Sequence, residues 1–81
     1  MKTVFSKDFD QIYRRIKDKE TRLRILKQIR KIRENPNIGK PLRYVLKNFR
    51  SLIVPPFRII YYIDDDCLII NCFDHRKDVY R

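Results

Sequence analysis

The residues able to do chemistry are concentrated in the last third of the chain. Arg58 stands near the start of the run Phe57-Arg58-Ile59-Ile60-Tyr61-Tyr62-Ile63. A second cluster, Asp74-His75-Arg76-Lys77-Asp78-Val79-Tyr80, follows the apolar stretch that ends at Phe73. A guanidinium offers paired N–H donors to a phosphate. His75 is the sole histidine, and an unperturbed imidazole titrates near neutral pH, so it suits proton transfer. Tyr80 carries a phenol that can stack on an unpaired base. A cationic pocket with one titratable ring and one phenol suits a phosphodiester.

These side chains meet only if the chain folds back between them. Asp64-Asp65-Asp66 supplies the turn, so residues 57–63 and 67–73 read as two strands of a hairpin. Alternation puts Arg58, Ile60 and Tyr62 on one face and Phe57, Ile59, Tyr61 and Ile63 on the other. The second set is the more apolar and is expected to face the core, leaving Arg58 and Tyr62 on an open face. In the preceding strand, residues 49–54, Arg50 shares a face with Leu52 and Val54. Whether Arg50 lies near Arg58 depends on the register across Pro55-Pro56, which two consecutive prolines mark as a turn.

The first half must supply the support. Residues 2–5 read as a short strand. Ser6 is an expected N-cap, and Phe9, Ile12, Tyr13 and Ile16 recur at helical spacing. After the polar joint at residues 17–20, Thr21 is expected to cap a second helix, with Leu23, Ile25, Leu26, Ile29 and Ile32 as its apolar stripe. Arg22, Arg24, Lys27, Arg30, Lys31 and Arg33 are expected on its solvated outer face. Asn35-Pro36 stops that helix. Gly39-Lys40-Pro41-Leu42-Arg43 reads as a loop carrying two cations. The predicted fold is one α+β domain over residues 1–81, with order β-α-α-β-β-β. Its sheet is four-stranded and mainly antiparallel, with a helical hairpin packed on one face.

Composition narrows the partners. The chain has 81 residues, 20 Lys+Arg and 10 Asp+Glu, for a formal net charge of +10. That excess predicts an anionic partner, most simply nucleic acid. No apolar run approaches the ~20 residues of a membrane span. Met1 to Phe5 is too short for a signal peptide, so a cytoplasmic location is expected. Cys67 and Cys72 are five apart on one strand, hence on opposite faces, and cannot bridge each other. With one histidine, a zinc site is not expected, and no cofactor is.

Three motifs carry a resemblance: Lys40-Pro41-Leu42-Arg43, Phe57-Arg58-Ile59-Ile60-Tyr61 and His75-Arg76-Lys77-Asp78-Val79-Tyr80. In this order and spacing the chain resembles the RelE/ParE superfamily, the toxins of type II toxin–antitoxin pairs. The resemblance implies a ribosome-dependent, metal-independent mRNA endonuclease acting by 2′-hydroxyl attack in the ribosomal A site. It implies a RelB-like antitoxin as partner, with the ribosome and its mRNA as targets. It assigns Arg58 to the scissile phosphate, Arg76 to the leaving oxygen, His75 to proton transfer, Tyr80 to a base and Arg50 to the lining of the site. Lys40, Arg43 and Lys47 would contact RNA or the ribosome. Leu52 stands where some members have a second basic residue, and Pro55-Pro56 replaces the usual glycine-containing turn. The alternatives are a gyrase inhibitor of the ParE branch and a non-catalytic nucleic-acid- or antitoxin-binding module.

Overall fold

A computed structural model describes residues 1–43 and 48–74. The elements are β1 (Lys2–Phe5), α1 (Lys7–Arg15), α2 (Lys19–Glu34), a 3-10 turn (Pro36–Ile38), β2 (Lys40–Pro41), β3 (Arg50–Val54), β4 (Phe57–Asp64) and β5 (Cys67–Asp74). The strands form one sheet in the order β1-β5-β4-β3-β2. Only β1 runs parallel to its neighbour, β5, and the other pairs are antiparallel. The expected α+β order holds. The sheet gains a fifth strand, because Lys40 and Pro41 pair with Ser51 and Arg50. Two residues are too few to show alternation, and Pro41 has no N–H to donate, which suits only an edge.

α1 begins where the sequence places it. The Ser6 hydroxyl accepts from the Phe9 N–H at 3.0 Å and donates to Asn71 Oδ1 at 2.7 Å, so the cap is also tied to β5. Asp8 and Asp10 in the first turn and Arg14 and Arg15 in the last complement the helix dipole. Phe5 packs on Phe9 and Phe9 on Tyr13, with centroids 4.8 and 5.6 Å apart. The Arg22 guanidinium lies over the Tyr13 ring at 4.7 Å. This ladder joins β1, α1 and α2, and it takes Arg22 off the purely solvated face expected for it.

α2 departs from expectation in two respects. Its N-cap is Asp18, whose carboxylate accepts from the Glu20 N–H, and not Thr21. Thr21 is buried inside the first turn, and its hydroxyl donates to Asp18. That hydrogen bond holds the Asp18 carboxyl below its ordinary pKa. Among the five expected stripe residues, Ile25, Ile29 and Ile32 are buried, whereas Leu23 and Leu26 are exposed. At ~100° per residue Leu23 sits about 160° around the helix from Ile25, so one face cannot bury both.

The core lies between the helices and one face of the sheet. Phe9, Ile16, Ile25, Ile29 and Ile32 meet Val54, Phe57, Ile59, Tyr61, Leu68, Ile70 and Cys72. Each fully buried aliphatic side chain here contributes about 1.5–3 kcal/mol relative to exposure. The other face has no element over it among the described residues. β4 and β5 are joined by the two-residue turn Asp65-Asp66, with φ of 61° and 74°. These positive values are those of a type I′ turn, which matches the twist of the strands.

Candidate functional site

Cross-strand pairing fixes which side chains share the open face. Arg58 pairs with Ile53 of β3 and Phe73 of β5. Ile60 pairs with Ser51 and Asn71, and Ser51 in turn with Lys40. Tyr62 pairs with Ile69, which pairs with Val4. The open face therefore carries Arg58 and Lys40, with Lys2 and Asp64 at its far end, among apolar and aromatic side chains and the polar Ser51 and Asn71. Arg58 is half-buried, and Ile53 beside it is 56% exposed. The expected split of β4 holds, with Phe57, Ile59 and Tyr61 buried on the helix side. Ile63 belongs to that side by alternation but is exposed, at the strand's far end.

Arg58 Nε is buried and has no hydrogen-bond partner among the described residues. A buried donor left unmade costs about 1–3 kcal/mol, more when charged. The strand neighbours of Arg58, Ile53 and Phe73, offer no acceptor in their side chains. Two other buried polar side-chain atoms among the described residues are also unpartnered, Thr3 Oγ1 and Arg22 Nε. Neither lies on the open face of β4. An anion bound at Arg58 would supply the missing acceptor.

Asp74 pairs with Phe57, so β5 ends next to Arg58. His75, Arg76 and Tyr80 lie outside the described residues, as does Lys47. Arg43 is exposed two residues beyond β2.

Arg50 does not share this face. Its register partner is Tyr61, so it sits on the helix side, opposite to Arg58. There its guanidinium donates to the carbonyl oxygens of Gly39 at 2.8 Å and Asn37 at 3.3 Å. Tyr61 reaches the same loop. Its hydroxyl donates to the Pro36 carbonyl at 2.6 Å and accepts from the Gly39 N–H at 2.8 Å. Burial pushes the Tyr61 phenol above its ordinary pKa. Gly39 is buried against the ring: a Cβ there would lie 2.5 Å from Tyr61 Oη and 2.8 Å from Cε1. A cavity of about 230 Å³ opens beside this contact, lined by Asn37, Asn48, Arg50 and Tyr62 among others. Sequence reasoning missed the Tyr61–Gly39 contact. The available signal was that Gly39 is the chain's single glycine.

Among the described residues no group of three or more His, Cys, Asp or Glu is placed to hold a metal ion. Cys67 and Cys72 lie on opposite faces of β5. No helix of the described residues is long and apolar enough to cross a membrane.

The chain is a small sheet with two helices on one face and an open opposite face, and comparison with known proteins gives its class. Residues 2–80 match the family described as the ParE toxin of type II toxin–antitoxin systems. The chain belongs to that family, within the RelE/ParE superfamily. It is 41% identical over 51 residues to toxin RelG of Mycobacterium tuberculosis, a match covering 60% of this chain and 59% of that protein. The fold is similar to that seen in the intact Escherichia coli RelBE toxin–antitoxin complex, with a TM-score of 0.71 at 14% identity. That superposition covers 86% of this chain and 89% of the other. The RelBE2 complex of M. tuberculosis matches with a TM-score of 0.57 at 25% identity, over 85% of this chain and 89% of the other.

Proposed function

We propose that this protein is the toxin of a type II toxin–antitoxin pair and cleaves mRNA on the ribosome. Family membership supports the first part. The observation that carries the second is the buried Nε of Arg58, without an acceptor among the described residues, on an open face that also bears Lys40. In the reaction the ribose O2′ loses its proton to a base and forms a bond to the adjacent phosphorus. The P–O5′ bond breaks, and O5′ takes up a proton from an acid. A 2′,3′-cyclic phosphate and a 5′-hydroxyl result, with no metal needed for the electron count. Arg58 binds the scissile phosphate and stabilises the charge that develops on it. Arg76 neutralises the leaving oxygen, His75 moves a proton, and Tyr80 stacks on a base. Lys40, Arg43 and Lys47 follow the RNA backbone. Arg50 is given no role at the phosphate: its guanidinium donates to the Asn37 and Gly39 carbonyls on the other face. The partner that restrains the toxin is an antitoxin of RelB type, and both act in the cytoplasm.

The test is primer extension on an mRNA translated in a purified system, with and without ribosomes. New 5′ ends should need both ribosomes and Arg58. Arg58→Ala should lower the cleavage rate by about 10²–10³-fold, as for loss of one donor to a developing charge. Cleavage by the variant at the wild-type rate would remove Arg58 from the site. The match to a ParE toxin family favours one second reading, inhibition of DNA gyrase. Loss of supercoiling activity on adding the protein, with no new mRNA ends, would select it.

A further inference from the structure

β2 is only two residues long, and one of them is a proline. Such a strand cannot hold its own register. Its backbone tie beyond Pro41 is the hydrogen bond from the Leu42 N–H to the Phe49 carbonyl at 3.0 Å. The segment immediately before it hangs from two side chains. Tyr61 engages Pro36 and Gly39, and Arg50 engages Asn37 and Gly39. These two residues are directly paired across β3 and β4, so they form one platform on the helix side of the sheet. Lys40 is the next residue after Gly39, and it faces the opposite way, onto the face of Arg58. From strand spacings of ~4.8 Å and rises of ~3.4 Å, the Lys40 and Arg58 Cα atoms are about 12 Å apart. Long basic side chains extended from those positions can grip neighbouring phosphates of one strand.

The geometry points to Arg50 and Tyr61 as positioning residues that fix Lys40 on the Arg58 face, where it binds a phosphate of single-stranded RNA. The phosphate part of this statement rests on the RNA-cleaving reading above; the positioning part does not. Arg50 thus acts on the nucleic acid through Lys40 and makes no direct phosphate contact. Tyr61 does the same from a fully buried position.

Two readouts separate the parts. The first is amide hydrogen exchange, followed by NMR on the full chain, in Tyr61→Phe and in Arg50→Gln. The Leu42 N–H is touched by neither side chain, so its exchange reports the seating of β2. It should quicken at least tenfold in both variants, while amides of β4 and β5 keep their protection. Leu42 exchange at the wild-type rate in both variants, with the β4 and β5 amides protected, overturns the positioning role. Collapse of protection throughout Tyr61→Phe would shift that decision to Arg50→Gln, which leaves the buried phenol in place.

The second readout is the salt dependence of binding to a 12-nucleotide oligouridylate. Each phosphate contact contributes a slope of ~0.7 in log K against log salt for single strands. Lys40→Ala should lose about one such contact, and Arg50→Gln should lose the same one. The double variant should then lose no more than either single variant. Additive losses would show Arg50 on a phosphate itself and overturn the inference. If the wild-type chain binds no oligouridylate while Leu42 is deprotected in the variants, the positioning role stands and the RNA reading fails.

Discussion

Gly39→Ala should destabilise the protein by about 2–4 kcal/mol, and its sign is the point of interest. Gly39 has φ of −73° and ψ of 154°, extended backbone that any residue adopts. On conformational grounds alanine should therefore stabilise, by about 0.4–1 kcal/mol, through the unfolded chain. The steric argument runs the other way. The added Cβ would sit 2.5 Å from Tyr61 Oη, 2.8 Å from Cε1 and 2.9 Å from Cζ. Tyr61 is 1% exposed, so most of its ring is held by the core. Forcing an extra methyl into a packed site costs about 1–3 kcal/mol. Separating the loop from the phenol breaks two hydrogen bonds at about 1 kcal/mol each. Against those terms the entropic gain is small. A chain of this size has about 4–12 kcal/mol of stability in all, so the loss is easily measured. The assay is urea unfolding followed by far-UV circular dichroism, with Tyr61→Phe and the double variant completing a cycle. Removing Oη relieves the closest contact but leaves the two ring carbons, so Tyr61→Phe should rescue Gly39→Ala only in part. Gly39→Ala as stable as wild type, or more so, would refute the packing argument and with it the role given to the Tyr61 platform.

Asp66→Gly should stabilise by up to about 1 kcal/mol in thermal unfolding, since φ of 74° strains a non-glycine residue; a loss of stability would mean the carboxylate has a role in the turn. Ser6→Ala should cost about 1–2 kcal/mol, because it removes the cap of α1 and the bond to Asn71 together. Stability should also fall at alkaline pH. The folded state keeps the Tyr61 phenol protonated above its ordinary pKa, whereas the unfolded chain releases that proton at about 10. The folded state thus binds the extra proton, so the contribution is intact below about pH 10 and is lost as pH rises through the folded value. Urea titrations from pH 8 to 11 should show wild type above Tyr61→Phe by a constant margin below about pH 10, with the margin narrowing at the upper end.

Much of this arrangement follows from local rules. Period-two alternation was enough to place Arg58 on the open face and Ile59 and Tyr61 beneath it. Ser6 was recognisable as a cap because its neighbours show a helical repeat. The position of Arg50 was not readable, because it depends on how many residues turn between β3 and β4. Pro55-Pro56 forms a two-residue turn that pairs Val54 with Phe57, and this sets Arg50 opposite Tyr61. The Tyr61 hydroxyl reaches partners 22 and 25 residues away in sequence, beyond any local pattern. β2 escaped notice because two residues cannot display a repeat. In α2, five apolar positions covered too wide an arc for one face, and only packing shows that Ile25, Ile29 and Ile32 form the buried side. The chemistry expected of His75, Arg76 and Tyr80 lies outside the described residues.

The pairing of β1 with β5 also governs how the chain reaches this structure. Ser6 and Asn71, joined by a hydrogen bond, are 65 residues apart in sequence. β1, α1 and β4 all rest on β5, the last strand of the described residues. At ~5–20 residues per second of synthesis, the first strand and helix wait several seconds for the surface that completes them. Contacts of such long sequence separation also slow the search itself. A newly made chain therefore spends its early life without the strand that joins β1 to β4, and its open face is not yet assembled. Whatever the open face binds can be bound only after this delay.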